Sequence, residues 1–104
     1  MLEENGYNIL TTLTLPSGIT RLEDWSFGSG VITTVVIPES VTYIGSWALP
    51  RSNTIKCYAV VPPTLKESFN TYYTKNIYVP SESVELYKNA TNWSVHANII
   101  KALT

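Results

Sequence analysis

Catalysis in this chain would have to be built around His96, Cys57 or the adjacent carboxylates Glu23 and Asp24. His96 is the only histidine. As a general base it needs a nearby nucleophile and an acceptor to orient it, and no such set is legible. It reads as a partly exposed residue near the carboxyl end. Cys57, the only cysteine, falls on an inward position of an alternating segment and reads as a buried, inert thiol. A single cysteine also excludes an intrachain disulfide and a multi-cysteine zinc site. Glu23 and Asp24 lack the second acidic cluster that paired-carboxylate hydrolysis or calcium binding requires, so they read as a solvated corner. Gly28-Ser29-Gly30 lacks the lysine and the strand–helix setting of a phosphate loop and reads as a turn. No enzyme, metal or cofactor is expected.

Two sets of side chains are better suited to recognition. Thr14, Val36, Tyr58 and Tyr78 recur on one side of an alternating pattern, with Lys56 and Asn76 beside them. Aromatic side chains presented on a rigid sheet are good material for a binding surface. Trp25 and Trp47 form the second set, 22 residues apart. Stacked one above the other, they would make an apolar platform for a sugar or a protein. Cross-strand packing is the structural alternative for both sets.

Composition bounds the partners. The chain has 104 residues, enough for one domain with a modest core. Charged residues make up 14%, against roughly 25% in an average soluble domain. Thr, Ser and Asn fill the difference, and a chain rich in Thr, Tyr and Val but poor in charge favours β-structure with a neutral polar surface. A net charge of −1 leaves no electrostatic footprint for nucleic acid or an anionic membrane. No apolar run reaches membrane-helix length, so membrane insertion is not expected. The first residues, Met1 to Gly6, are acidic and polar and do not form a signal peptide. The chain is therefore expected to be cytoplasmic or to lack the segment that addressed it.

An internal repeat organises the whole. Leu13-Thr14-Leu15-Pro16-Ser17-Gly18-Ile19-Thr20-Arg21-Leu22 aligns with Val35-Val36-Ile37-Pro38-Glu39-Ser40-Val41-Thr42-Tyr43-Ile44 at an offset of 22. The match runs on through Trp25 and Trp47, and backwards through Leu10 and Ile32. The same offset places a third strand at Lys56-Cys57-Tyr58-Ala59, and Asn76-Ile77-Tyr78-Val79-Pro80 supplies a fourth, with Tyr58 aligned to Tyr78. Alternation turns Leu13, Leu15, Val35, Ile37, Cys57, Ala59, Ile77 and Val79 inward. Each proline closes its strand, because it cannot donate to a continuing ladder. Ser81 is a plausible N-cap for a short helix over roughly residues 81–90. Trp93, Val95, Ile99, Ile100 and Leu103 then supply apolar surface to seal the end.

These units resemble the leucine-rich repeats of the BspA type, L-x-x-L-x-I-P-x-x-V-x-x-I-G-x-x-A-F. Residues 32–49 follow that pattern closely, with Leu49 in place of the usual Phe. The segment from Cys57 to Leu65, then Ile77 to Lys88, Trp93 and Ile99 to Leu103 is similar to the ending of such proteins in Bacteroidetes. The resemblance implies a secreted or surface-attached protein used for adhesion or ligand binding, without shared catalytic residues. It also implies that Trp25 and Trp47 stand at a variable, often outward position. In such a bacterial setting, the glycosylation-type sequences Asn89-Ala90-Thr91 and Asn92-Trp93-Ser94 read as chance matches.

The fold expected is a β-rich leucine-rich-repeat solenoid of about four short rungs with a helical carboxy-terminal cap. It forms a single repeat domain over 1–104: an amino-terminal edge at 1–9, repeats over 10–80 and the cap over 81–104. The function expected is a non-catalytic, extracellular or cell-surface module binding a host protein or glycan through Thr14, Val36, Lys56, Tyr58, Asn76, Tyr78, Trp25 and Trp47. The alternative is a structural repeat or cap segment of a longer surface protein. Self-association through the amino-terminal edge is a further expectation.

Overall fold

A computed structural model describes residues 12–27 and 30–103. The edge expected over residues 1–9, its self-association, the match of Leu10 to Ile32, and the turn residues Gly28 and Ser29 lie outside the described residues. Among the described residues eight short strands follow in order: β1 (Thr12–Thr14), β2 (Arg21–Leu22), β3 (Val31–Ile37), β4 (Tyr43–Ile44), β5 (Arg51–Cys57), β6 (Thr64–Leu65), β7 (Asn76–Val79) and β8 (Ile100–Ala102). They form two parallel sheets. The larger has the order β1-β3-β5-β7-β8 and the smaller β2-β4-β6. Thr-, Val- and Ile-rich segments suit such pleated surfaces. Pro38 and Pro80 directly follow β3 and β7, and Pro16 lies two residues beyond β1. β5 ends at Cys57, well ahead of Pro62, and the Tyr58 amide goes on to donate to Ile37 O at 2.9 Å.

The register exposes where the repeat breaks. Thr12 faces Thr34 and Arg21 faces Tyr43, both at the expected offset of 22. Ile37, however, faces Cys57, an offset of 20. Three residues separate Phe27 from Val31, whereas Pro50 alone separates Leu49 from Arg51. This shorter connection starts β5 two residues early. Thr54 then faces Asn76 at 22, Tyr43 faces Thr64 at 21, and Ile77 faces Ile100 at 23.

The inner faces of the two sheets meet in one core. Leu15, Val35, Ile37, Ile55, Cys57, Ala59, Ile77, Val79 and Ile100 come from the larger sheet and its strand ends. Leu22, Val41, Ile44 and Leu65 face them from the smaller. Leu13 is half-buried against the same cluster. Tyr87 and Trp93, both fully buried and packed edge to face at 4.9 Å, close the carboxyl-terminal end.

The expected solenoid of about four rungs is corrected. The chain is a small compact α/β domain with a five-stranded and a three-stranded parallel sheet and few helices. Its radius of gyration of 13.2 Å is that of a compact unit of about 100 residues. A stack of equal turns requires a constant offset and a strand in both sheets at every level. Here the offset varies, and among the described residues β7 and β8 have no counterpart in the smaller sheet. The expected cap is corrected as well, since its last residues form β8 and extend the larger sheet. The helix foreseen over 81–90 is a 3₁₀ turn, Ser81–Ser83, followed by α1 (Val84–Lys88). Ser81 does not cap it: the residue before the turn is Pro80, with no side-chain cap. Ser83 Oγ instead ties the segment back to Val60 O at 2.6 Å. Val95, expected to seal the end, is exposed.

Candidate functional site

The groups considered for catalysis are kept apart and occupied. His96 is buried at 1% exposure rather than partly exposed, and its Nε2 accepts the Phe69 amide at 3.0 Å. Burial holds its pKa below the ordinary imidazole value. Cys57 is buried with its Sγ 3.3 Å from the Tyr87 hydroxyl, and burial pushes both groups up. Glu23 pairs with Arg21 at 2.8 Å and Asp24 with Lys66 at 3.0 Å, all at the surface. These partners hold the two carboxyl groups below their usual range. Asp24 Oδ1 also accepts the Ser46 amide at 2.8 Å, tying the first corner to the second. Among the described residues no three His, Cys, Asp or Glu side chains converge as metal ligands.

The outer face of the larger sheet differs from the ladder expected. Thr14 faces Val36, Val36 faces Lys56, Lys56 faces Tyr78, and Tyr78 faces Lys101. Tyr58 is therefore not a rung of this ladder. The two-residue shortening before β5 moves Lys56 into its place, and Tyr58 stands exposed beyond the strand end. Tyr78 is half-buried between two lysines, with Lys101 Nζ 5.5 Å from its ring centre. Asn76, half-buried at the start of β7, accepts from Lys101 Nζ at 2.6 Å and reaches Thr54 and Asn53. Much of this face is thus spent on its own cross-strand contacts. Lys101 was hidden because its segment reads as a cap.

Trp25 and Trp47 are brought together. Their rings stack with centroids 5.8 Å apart and planes 16° from parallel. Both remain exposed, at 63% and 50%. Each holds a positive φ, 62° and 57°, in the left-handed region that residues other than Gly, Asn and Asp rarely enter. The Trp25 amide donates to Ser46 O at 3.1 Å, which sets the two corners one above the other. Beside them Arg21 lies over the Tyr43 ring at 4.2 Å, and the Asp24–Lys66 pair bridges the first and third corners.

Next to Trp47 is a small pocket of about 50 Å³, lined largely by apolar residues that include Ile44, Leu49, Ile55, Leu65 and Phe69, with Arg51, Glu67, Ser68 and Asn70 also on its border. That volume holds a few waters and falls far short of the roughly 300 Å³ or more of an enclosed small-molecule site. The candidate site is therefore a surface: the tryptophan pair with this pocket at its end. The 22-residue spacing reveals the pair in the sequence, but Arg51, Glu67, Ser68 and Asn70 carry no repeat signal. No family model matches this chain, and no curated protein matches it.

Proposed function

We propose that this chain is a non-catalytic binding module for a protein or glycan, working at the cell surface or outside the cell, with Trp25 and Trp47 as its main contact. The observation that carries this reading is the shared backbone state of the two tryptophans. A left-handed conformation costs an L-residue roughly 1–2 kcal/mol, and glycine would meet it freely. Two large aromatic side chains stand there instead, exposed and mutually aligned. Strain retained at an exposed aromatic pair points to a use for the side chains. Aromatic anchors of this kind commonly dominate binding energy. The resemblance to BspA-type repeat proteins supports the same class of function and the surface location.

A screen against arrayed glycans and extracellular-matrix proteins tests it, run beside a folded Trp25→Ala/Trp47→Ala variant. The expected result is a ligand bound by the natural chain and lost in the variant. A ligand retained by the variant moves the site to Lys56, Tyr78 and Lys101. Absence of any ligand favours a structural segment of a longer surface protein.

A further inference from the structure

We infer that residues 67–72 form a flap latched by His96, and that acid releases it. The segment lies in the connection between β6 and β7, and the chain is well tied at both of its ends. The Lys66 amide donates to Ile44 O at 2.9 Å, and Asn92 Nδ2 donates to Lys66 O at 3.1 Å. On the far side, Thr74 Oγ1 donates to Ser52 O and the Lys75 amide to Asn53 O, both at 2.8 Å. Between these anchors the hydrogen bonds close on the segment itself. The Tyr72 and Tyr73 amides donate to Asn70 Oδ1, the Thr74 amide to Asn70 O and Lys75 Nζ to Thr71 O. Among the described residues, one hydrogen bond joins 67–72 to the rest of the chain, from the Phe69 amide to His96 Nε2 at 3.0 Å. Phe69 is also the side chain of this segment that packs on the core. Its ring lies 5.6 Å from the His96 ring and edge-on to the buried Trp93 at 5.4 Å. Glu67, Ser68, Thr71 and Tyr72 are exposed.

The latch requires a neutral imidazole. Nε2 accepts from an amide, and protonation turns it into a donor aimed at a donor. Protonation also places a charge where His96 is buried, and that burial already lowers its pKa. The ionisable groups on the elements around it are Tyr78 of β7, Glu85, Tyr87 and Lys88 of α1, Lys101 of β8, and Lys66 and Glu67 at the segment. None of them contributes to the shift, which burial alone causes, so no carboxylate offsets the imidazolium. Lifting Phe69 admits water to the imidazolium and breaks no second hydrogen bond between 67–72 and the rest of the described chain. Unfolding the sheets would break all of theirs. With the flap open, His96 titrates near its ordinary 6.5, and with it shut, lower. The shut state is therefore favoured above about pH 6.5 and gives way as pH falls through the lower value. Phe69 lines the small pocket beside Trp47, so its release leaves an open apolar cleft walled by Ile44, Leu49, Ile55 and Leu65. This device stands whether or not the tryptophan pair binds a ligand.

NMR of the backbone amides and the imidazole, from about pH 7.5 to about pH 5 and below the melting temperature, tests the inference. The Ser68, Phe69 and Asn70 amides are expected to shift with the His96 ring at a common midpoint. Val35 and Ile55, in the larger sheet, are expected to stay in place. Exchange protection of the Phe69 amide should fall about tenfold per pH unit below that midpoint. His96→Gln keeps a side-chain acceptor for Phe69 and removes the ionisation, so its flap is expected to stay shut throughout. If that variant does not fold, Phe69→Ala decides: with the latch undone, its His96 is expected to titrate near 6.5. Movement of the larger sheet in step with the flap would mean unfolding of the whole molecule and would overturn the inference. So would amides of 67–72 that stay in place over the whole range, an unchanged pH response in His96→Gln, or an unchanged His96 midpoint in Phe69→Ala.

Discussion

Trp25 stacks on Trp47 at 5.8 Å while both residues occupy the left-handed backbone region. Contact and strain act in opposite directions there. An aromatic pair contributes about 0.5–1.5 kcal/mol beyond its burial, and the backbone state costs roughly as much. Substitution by glycine removes both, so Trp25→Gly is expected to leave stability nearly unchanged. Trp25→Ala loses the stacking and keeps the strain. Chemical denaturation should find it less stable than the glycine variant by about 1 kcal/mol. Equal stabilities would mean that the left-handed corner does not persist in solution.

Gly45 is constrained by packing rather than by φ. A Cβ there would fall on the Asp24 carboxylate and 2.7 Å from the Asp24 amide. The Gly45 amide itself donates to Leu22 O at 2.7 Å, which limits how far the two corners can part. Gly45→Ala is expected to cost about 1–3 kcal/mol through overpacking, measured by urea denaturation. It should also shift the Ser46 amide resonance, because Asp24 Oδ1 must release it.

His96 makes stability depend on pH. Its folded pKa is lowered by burial from an ordinary value near 6.5. The unfolded chain therefore binds the extra proton first. The His96 contribution is complete above about pH 6.5 and is lost as pH falls through the folded value. Protonation also removes the lone pair that accepts the Phe69 amide. Thermal melts from about pH 7 down to about pH 5 should show a falling midpoint, and His96→Gln should flatten that fall. An identical slope in the variant would place the dependence elsewhere.

Cys57 should behave as core. Its thiol is desolvated and contacts the Tyr87 hydroxyl, which itself donates to Ala59 O. A thiol reagent is expected to leave the native chain unmodified and to label it fully in denaturant. Tyr87→Phe deletes both hydroxyl contacts at the closed end of the core. It is expected to cost about 1–2 kcal/mol, read from the denaturation midpoint. Labelling of native protein as fast as denatured protein would show that this end of the core opens.

Period-two alternation identified the inward residues. Leu15, Val35, Ile37, Cys57, Ala59, Ile77 and Val79 are all buried, and Leu13 is half-buried. The 22-residue offset likewise brought Trp25 to Trp47, because both lie ahead of the point where the repeat shortens. The offset failed after Leu49, where one proline replaces three residues. Apolar matching could not detect this. Cys57 is inward at an offset of 20 or 22 alike, since a slip of two preserves the face of a strand. The slip changes only which outward residues become neighbours, so Lys56 rather than Tyr58 stands between Val36 and Tyr78; Lys101 joins the same face through β8, whose residues read as a cap.

What the sequence determined by itself is therefore local. It carried the places of β1, β3 and β7, the inward and outward faces, the prolines that follow β3 and β7 and the shared corner of two tryptophans, all properties of spacing within one or two units; the third strand, expected at Lys56–Ala59, lies instead at Arg51–Cys57. Tertiary structure decided what depends on summed lengths and on competition for space. Those decisions include the variable register, a compact two-sheet domain in place of an even stack, the joining of Ile100–Ala102 to the larger sheet, and the burial of His96. They include the pocket beside Trp47 too, for its borders come from Arg51, Glu67, Ser68 and Asn70, which meet only when the second and third corners are stacked.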